Sequence, residues 1–474
     1  MMTTLSQPVW SEPDSLDMSH LLNKHGKPLA YSDHFKATHY NGQRKYIPNI
    51  ATDTRHTLNE STRKQIIGLA RHLYNNSSVC RGAVNTVSQY SIADGLSVQS
   101  LSSDHQSEYE DYFNQWASVC DSQGRLDLAQ IQYLSSISLD RDGDVGVHLS
   151  KTTYGYPQIT LVESHRICND YNDDKYSDGY STDKFGKVVS YKIKQGDKYR
   201  KVAPRDFILL SDPSRADMVR GLSALTPCIN TLQDIDELIE FEVVGTKLIS
   251  AIGCAITTPT GEANDGSSFI EDGFTSASTG GLAQSTWSAG MIPHLSEGED
   301  IKVIGNRPSP VWQGFMEYLI SSVSIGLGMP SEFYWSPKGL NGPSMRMVLK
   351  KAEHVFLKRQ RLIASKLMRR LYTWVIADAI KQGKIPSSDD WYKVQFIGSK
   401  MPSIDLTRDA QQNREDIRYG VKTLSEISAE SGKHWEDVRN QSYKEADNLL
   451  QLAATLAKEH DITKEQALDL LSSS

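Results

Sequence analysis

Between Val145 and Leu210 the apolar residues of this chain fall on alternate positions, and on either side they return to a spacing of three or four. A strand has a period of two and a helix one of 3.6, so a chain that switches between them must build a mixed structure. The alternating runs are Val145-Gly-Val147-His-Leu149, Gln158-Ile-Thr-Leu-Val162, Val188-Val-Ser-Tyr-Lys-Ile193 and Phe207-Ile-Leu-Leu210, separated by Gly, Asp and Asn turns. Helices are expected before them. Thr62 and Gln65 make a capping-box pattern ahead of Ile66, Leu69, Ala70 and Leu73. A second helix should run from about Ser78 to Tyr90 and stop at Asp94-Gly95, followed by a short strand at Leu96 and Val98. Tyr109, Tyr112, Phe113 and Trp116 recur at helical spacing and read as core, and Leu128, Ile131, Leu134 and Ile137 mark another helix. The fold class is α+β, with a mixed core over roughly 60–220 and a polar, irregular arm before it.

The second half is organised differently. Leu225, Ile229, Leu232, Ile235, Ile239 and Val243 predict a long helix over about 222–250. Residues 255–290, dense in Thr, Ser, Gly and Ala, read as loops around short strands. A shorter helix from Val311 is stopped by Gly328-Met-Pro330. The stretch Ser331–Pro343 contains Pro337, Gly339, Gly342 and Pro343, which predicts a loop, long for a helix–helix connection. A basic helix should follow from Ser344 to about Gln382, closed by Gly383. The C-terminal part reads as helical, with capping patterns at Thr423/Glu426 and Thr463/Gln466 and a C-cap at Gly432.

At 474 residues the chain exceeds the size of a single core. Its five cysteines are scattered, with no CxxC pair, which favours reduced thiols over a disulfide framework. No secretion signal is evident, and the most apolar span, Phe241 to Pro259, is interrupted by Glu242 and Lys247, so no membrane partner is expected. A net charge of −7 excludes coating DNA by bulk charge. The charge is uneven, however. Between Arg346 and Lys384 eleven Lys and Arg stand against Glu353 and Asp378, whereas from Asp405 onward fourteen acids face nine bases. Each run read singly is a solvated helix face, but alternating acidic and basic segments also suit subunits packed side by side.

Catalytic patterns are missing. There is no GxxxxGK[ST], HExxH, GxSxG or phosphate-binding GxGxxG. Asp140, Asp142 and Asp144 resemble a calcium loop, but an EF-hand needs Gly at its sixth position and Glu at its twelfth, where Val145 and Lys151 stand. Asp170, Asn172 and Asp174 fail likewise. These are read as turns; no cofactor or catalytic residue is expected.

Several local patterns resemble the lambda-like portal family of tailed bacteriophages. Arg81 and Asn85 followed by Ile92-Ala-Asp-Gly95 resemble its early helix and turn, and Asp142-Gly-Asp144 its "DGD" element. Leu161-Val-Glu163 with Arg166-Ile167, the hairpin from Asp183-…-Gly186 to Val189-Ser-Tyr191-Lys-Ile193, and Arg220-Gly221-Leu-Ser223-Ala-Leu225 follow in the family's order. So do Arg307-Pro308, Phe315, Gly326-Leu-Gly328-Met-Pro330, the Asn341, Ser344 and Arg346 element, Asp405, and Gly420 to Glu426. Met218 stands where the family often has Gln, and Gly342-Pro343 replaces a usual Tyr-Ser.

The resemblance implies one subunit of a homo-oligomeric ring, typically twelve copies in the virion, through which DNA is packaged and ejected. It implies an N-terminal arm (1–58), wing (59–220), first stem helix (221–250), clip (251–308), second stem helix (309–328) and tunnel loop (329–345). A long helix with wing completion (346–404) and a crown (405–474) complete it. Implied partners are the terminase large subunit, the head-tail adaptor, the major capsid protein and non-sequence-specific double-stranded DNA; implied locations are the capsid vertex and, during assembly, the host cytoplasm. Lys338, Gly339, Leu340, Asn341 and Gly342 are expected to border the channel, with Lys338 and Asn341 nearest DNA; a solvated loop lysine is the plainer reading of Lys338. Arg346 opposes the helix dipole at a helix start, so a carboxylate of a neighbour or a DNA phosphate is expected beside it. The rival readings are another head-tail adaptor or minor capsid protein, and a metal-dependent nuclease using Asp140, Asp142 and Asp144.

Overall fold

The structure, a computed structural model, describes residues 52–169, 175–251, 255–257, 300–302, 312–335, 340–398, 406–430, 435–459 and 463–472. The chain divides into two units, Met1–Asp53 and Thr54–Ser474, and nearly all described residues belong to the second. Most of the expected arm and clip, the Asp170–Asp174 turn, Lys338, Gly339 and the Gly432 cap lie outside the described residues.

The first half runs α1 (Thr54–Thr57), α2 (Glu60–Asn76), α3 (Ser78–Ser91), β1 (Ser97–Ser100), α4 (Gln106–Ser118) and α5 (Leu128–Arg141). The strands β2 (Asp144–Lys151), β3 (Pro157–Glu163), β4 (Tyr180–Thr182), β5 (Val188–Gln195), β6 (Lys198–Val202) and β7 (Phe207–Ser211) follow. α2 begins earlier than the Thr62/Gln65 pattern implied. Asn59 is its N-cap, and its side chain accepts a hydrogen bond from the Thr62 amide. A full capping box is instead built by Asp127 and Gln130 at α5, which the periodicity alone did not reveal.

The strands form two antiparallel sheets, β3-β2-β7 and β4-β5-β6. β2 is central and buried along most of its length, which is why its sequence is apolar around His148. One core packs α4, α5 and the β2 sheet against the later helix α10 (Arg369–Lys381) around Trp116, Tyr109, Phe113 and Tyr372. A smaller core between the sheets contains Val162, Ile167, Tyr191, Ile193, Val202 and Phe207.

In the second half, α6 spans Ile229–Ala251, preceded by a 3-10 turn at Thr226–Cys228. It starts later than expected because Pro227 sits in that turn and because Ser223 and Ala224 are tied to the Asp140 carbonyl. The short strands β8 (Ala255–Thr257) and β9 (Asp300–Lys302) pair antiparallel. α7 (Trp312–Gly326) packs on α6, and both lie against α2 and α3 in a core of Leu225, Leu232, Ile235, Met316, Ile320 and Val323. After α8 (Ser331–Tyr334), α9 (Gly342–Ile363) continues through a π-helical turn at Ala364–Met368 into α10. Gly383, in the left-handed region at φ +69°, closes this helix as expected.

β10 (Val394–Ile397) returns to pair with β1. The C-terminal helices are α11 (Leu406–Arg418), α12 (Leu424–Glu430), α13 (Trp435–Glu459) and α14 (Lys464–Ser472). Both capping patterns form: Thr423 with Glu426 and Thr463 with Gln466 exchange side-chain and backbone hydrogen bonds. The four described cysteines are buried and unpaired. Among the described residues no helix is long and apolar enough to cross a membrane.

Candidate functional site

Two constructions stand between the strand-rich half and the helical pair α6–α7. The first is a knot of buried charge at the root of α6. Asp144 opens β2 and is fully buried. Arg220 grips it in bidentate fashion, Nε to Oδ2 at 2.7 Å and a terminal nitrogen to Oδ1 at 3.0 Å, while the Gly221 amide donates to Oδ2 at 2.8 Å. The remaining Arg220 donors reach the carbonyls of Ile167, Asp178 and Ser164 at 2.7–3.0 Å. Arg63, on α2, makes a second fork onto Asp178 with both bonds at 2.6 Å and donates to the Ser164 hydroxyl. That hydroxyl in turn donates to Asp144.

The backbone makes this grip possible. Gly143 is in the left-handed region at φ +94°, and a Cβ on Gly221 would sit 1.9 Å from the Gly143 carbonyl oxygen. Two glycines are required where these chains cross.

Asp140, Asp142 and Asp144, the acids of the nuclease reading, are each paired with different arginines. Asp142 is shared by Arg71 and Arg141, each through two bonds of 2.7–3.0 Å. Asp140 pairs with Arg359 of α9, and its carbonyl accepts from Ala224 and Ser223 at 2.9 Å. Burial is the largest single influence on Asp142 and Asp144 and acts upward. The surrounding guanidiniums, chiefly Arg220 for Asp144 and Arg71 and Arg141 for Asp142, outweigh it and hold both carboxyls below the usual range. For Asp140 burial wins: its carboxyl is raised despite Arg359, and one oxygen has no hydrogen-bond partner. No group of three possible metal ligands occurs among the described residues. The acids join the end of α5 to β2, α2, α9 and the start of α6. The motif pieces Asp142-Gly-Asp144, Ile167 and Arg220-Gly221, dispersed in sequence, converge here.

The second construction is the segment between α7 and α9. α7 ends at Gly326, and Gly328 turns the chain at φ +75°. Met329 is buried against Val87, Ala352 and Phe356. The expectation of an unbroken loop over Ser331–Pro343 is corrected: Ser331–Tyr334 is a helical turn, and α9 already includes Gly342 and Pro343. Proline is tolerated in the first helical turn, where its missing N–H has no intrahelical acceptor. The turn is clamped rather than free. Phe333 packs edge-on against Tyr90 and Phe356, at 5.2 and 5.6 Å between ring centroids, and the Tyr334 hydroxyl donates to the Val79 carbonyl. Among the described residues the helical turn ends at Tyr334 and α9 begins at Gly342, with Asn341 as its cap.

Of the five expected channel residues, Leu340, Asn341 and Gly342 are described. Leu340 is half-buried; the other two are exposed. Asn341 also holds the helix start: it is the N-cap of α9, its side chain accepting from the Ser344 amide at 2.9 Å. Arg346 is exposed in the first turns of α9, and Trp335 is 52% exposed at the other end of the connection.

A family model of lambda-family phage portal proteins matches residues 46–360 of the chain. No curated protein matches it. Among solved structures, a chain from the neck of an empty GTA particle is similar at 12% identity and TM-score 0.47, covering 78% of this chain and 94% of that one. A chain from the neck of the native GTA (gene transfer agent) particle, computed with C12 symmetry, gives 14% identity and TM-score 0.43 over 78% and 94%. An HK97-family phage portal protein from Corynebacterium diphtheriae gives 11% and 0.32 over 60% and 84%. With well over half of its length matched by the family model, the chain belongs to the lambda family of phage portal proteins, and its role is that of a portal subunit.

Proposed function

We propose that copies of this subunit close into a ring, twelve in the virion, at one vertex of a capsid, and that duplex DNA is packaged and ejected through it. The observation that carries the reading is the apolar surface left on α6 and α7. At its start α6 buries Ile229, Leu232 and Ile235, but farther along Ile239, Phe241, Val243 and Val244 are exposed, as are Phe315, Tyr318 and Ile325 on α7. Phe315, Tyr318 and Ile325 recur at helical spacing, so they form one stripe along α7. A soluble subunit keeps such a surface only if something covers it, and in a closed ring each copy covers its neighbour.

In this reading 59–220 is the wing, 221–250 and 309–328 are stem helices, 251–308 is the clip, and 405–474 is the crown. The clip docks the terminase large subunit first and the head-tail adaptor later, and the wing meets the major capsid protein. The subunit itself turns over no substrate; the ATPase is its partner's. It works at the capsid vertex of the virion, after assembly in the host cytoplasm.

The tunnel segment is 329–345, which includes the α8 turn and the first turn of α9, with Lys338, Gly339, Leu340, Asn341 and Gly342 towards the DNA. A duplex that slides needs sparse, sequence-blind phosphate contacts, because each fixed contact adds affinity that must be broken at every step. Lys338→Glu should therefore impair DNA packaging or retention, read as protected genome per particle, while ring assembly on a sizing column is unchanged. Normal packaging, or loss of assembly with DNA retention intact, would remove the tunnel-loop assignment.

A further inference from the structure

Two helices of this subunit carry exposed charge of opposite sign. On α6 the run from Thr231 to Lys247 contains five acids and one base. Asp234, Glu237 and Glu240 are exposed there, and none makes an ion pair among the described residues. On α9, Lys350, His354, Lys358 and Arg361 are exposed, opposite the buried Val348, Ala352, Phe356 and Ile363. Glu353 takes Lys350 and Asp212 takes Lys358, each at 2.7 Å, while His354 and Arg361 have no side-chain partner among the described residues. Like charges one turn apart destabilise a helix, so each surface is unfavourable until an opposite charge covers it.

Both faces continue into exposed apolar groups. Asp234, Glu237, Phe241 and Val244 are spaced by three, four and three residues, and so share the side of α6 turned away from the buried Leu232 and Ile235. Met347, Lys350, His354 and Arg361, spaced by three, four and seven, share the outer side of α9. Laid antiparallel, the two seams match. Arg361 then faces Asp234 and Glu237, and the Met347 end faces Phe241 and Val244.

The seams belong to different parts of one subunit. α6 shares a core with α2 and the first half of α3, through Leu73, Val79 and Cys80, whereas α9 packs on the later half of α3, through Val87. A ring uses such a separation, because one surface of each copy meets a different surface of the next.

We propose that the outer face of α9 docks on the acidic seam of α6 in a neighbouring copy. This rests on the portal reading above and adds a charged contact to the apolar stripe of α7. Other exposed acids fit the cations less well. On α11, Asp409 and Glu415 stand among Arg408, Arg414 and Arg418, and on α13 Glu436, Glu445 and Asp447 stand with Arg439 and Lys444. On α4, Glu108 and Glu110 already have partners in His105 and the Ser100 amide. The acids of the α6 seam have no base among them.

The test is assembly of the purified full chain, read by sedimentation velocity over a concentration series, with circular dichroism as the check on folding. The variants are D234K/E237K on α6, H354E/R361E on α9, and the four substitutions combined. Each pair sets like charges across the contact and should raise the concentration for half-assembly at least ~10-fold. The combined variant restores opposite signs and should return to within about threefold of the wild type. A combined variant no better than its parents overturns the proposal, as does unchanged assembly of either pair. Rescue of H354E/R361E by E445K/D447K in place of the α6 pair also overturns it, and makes α13 the occupant. If H354E/R361E lowers only the affinity for a linear DNA duplex and leaves assembly intact, the α9 face belongs to nucleic acid and the proposal fails. A wild-type protein that stays monomeric would refute the portal reading itself, separately from the outcome of any variant.

Discussion

Replacing Arg220 with methionine is expected to destabilise the subunit by about 3–5 kcal/mol, the range for removing one partner of a buried ion pair. Arg220 is 3% exposed and satisfies Asp144 together with three backbone carbonyls. Without it, Asp144 retains the Ser164 hydroxyl, the Gly221 amide and the more distant charge of Arg63, while the Asp178 carbonyl loses the donor it has from Arg220 and those of Ile167 and Ser164 keep only Arg63 and the Ile167 amide. Arg220→Lys restores a charge but not the fork, and should recover only part of the loss. Thermal unfolding should shift down by roughly 3–5 °C, from about 2.1 cal/mol/K of unfolding entropy per residue over 474 residues; an unchanged midpoint would show that the knot is not what holds α6 to the sheet. The knot also sets an acid limit. Asp142 and Asp144 have folded-state pKa values below their unfolded ones. Their contribution is thus complete above the usual carboxylate range, near pH 4, and is lost as pH falls through the lower folded values. Asp140 is raised, so its contribution has the opposite sign and grows as pH falls.

Placing glutamate at both Phe315 and Ile325 is expected to convert the assembled protein to monomers without unfolding it. Both side chains are exposed, at 48% and 71%, so a charge there costs the isolated subunit little. In the ring the same charges would be buried against a neighbour, each without a partner, and the penalty recurs at every interface. Sedimentation velocity, with circular dichroism as the check on folding, reads both halves of the expectation. Assembly that survives both charges would mean that this stripe of α7 is not a subunit interface.

The periodicities of single elements were legible in the sequence. The runs at 145–149, 158–162, 188–193 and 207–210 are strands, and α3, α5, α7 and α9 lie where apolar spacing put them. The start of α2 was misplaced: Thr62 read as the cap, but the helix begins at Glu60 and Asn59 caps it, accepting from the Thr62 amide. β10 escaped because it is four residues long and its partner, β1, is 300 residues away, with Ser97 opposite Ile397. The charge knot escaped for the same reason. Asp140-Arg-Asp142-Gly-Asp144 looks like a cation loop by itself, but besides Arg141 within it the cations that pair with its acids are Arg71, Arg220 and Arg359, far apart in the chain. The motif residues around Arg220 were visible as a pattern; that they form a joint is a property of three dimensions. Between α7 and α9, Pro343 suggested a break but serves as a helix start, because the first turn has no use for its missing donor.

Purified full-length protein, imaged by electron microscopy without DNA or partner proteins, is expected to form closed rings with a central hole. Counting subunits in those rings by native mass spectrometry should give one dominant closed number, twelve for the virion form. A field of compact monomers at micromolar concentration, persisting from low to high salt, would contradict the portal ring.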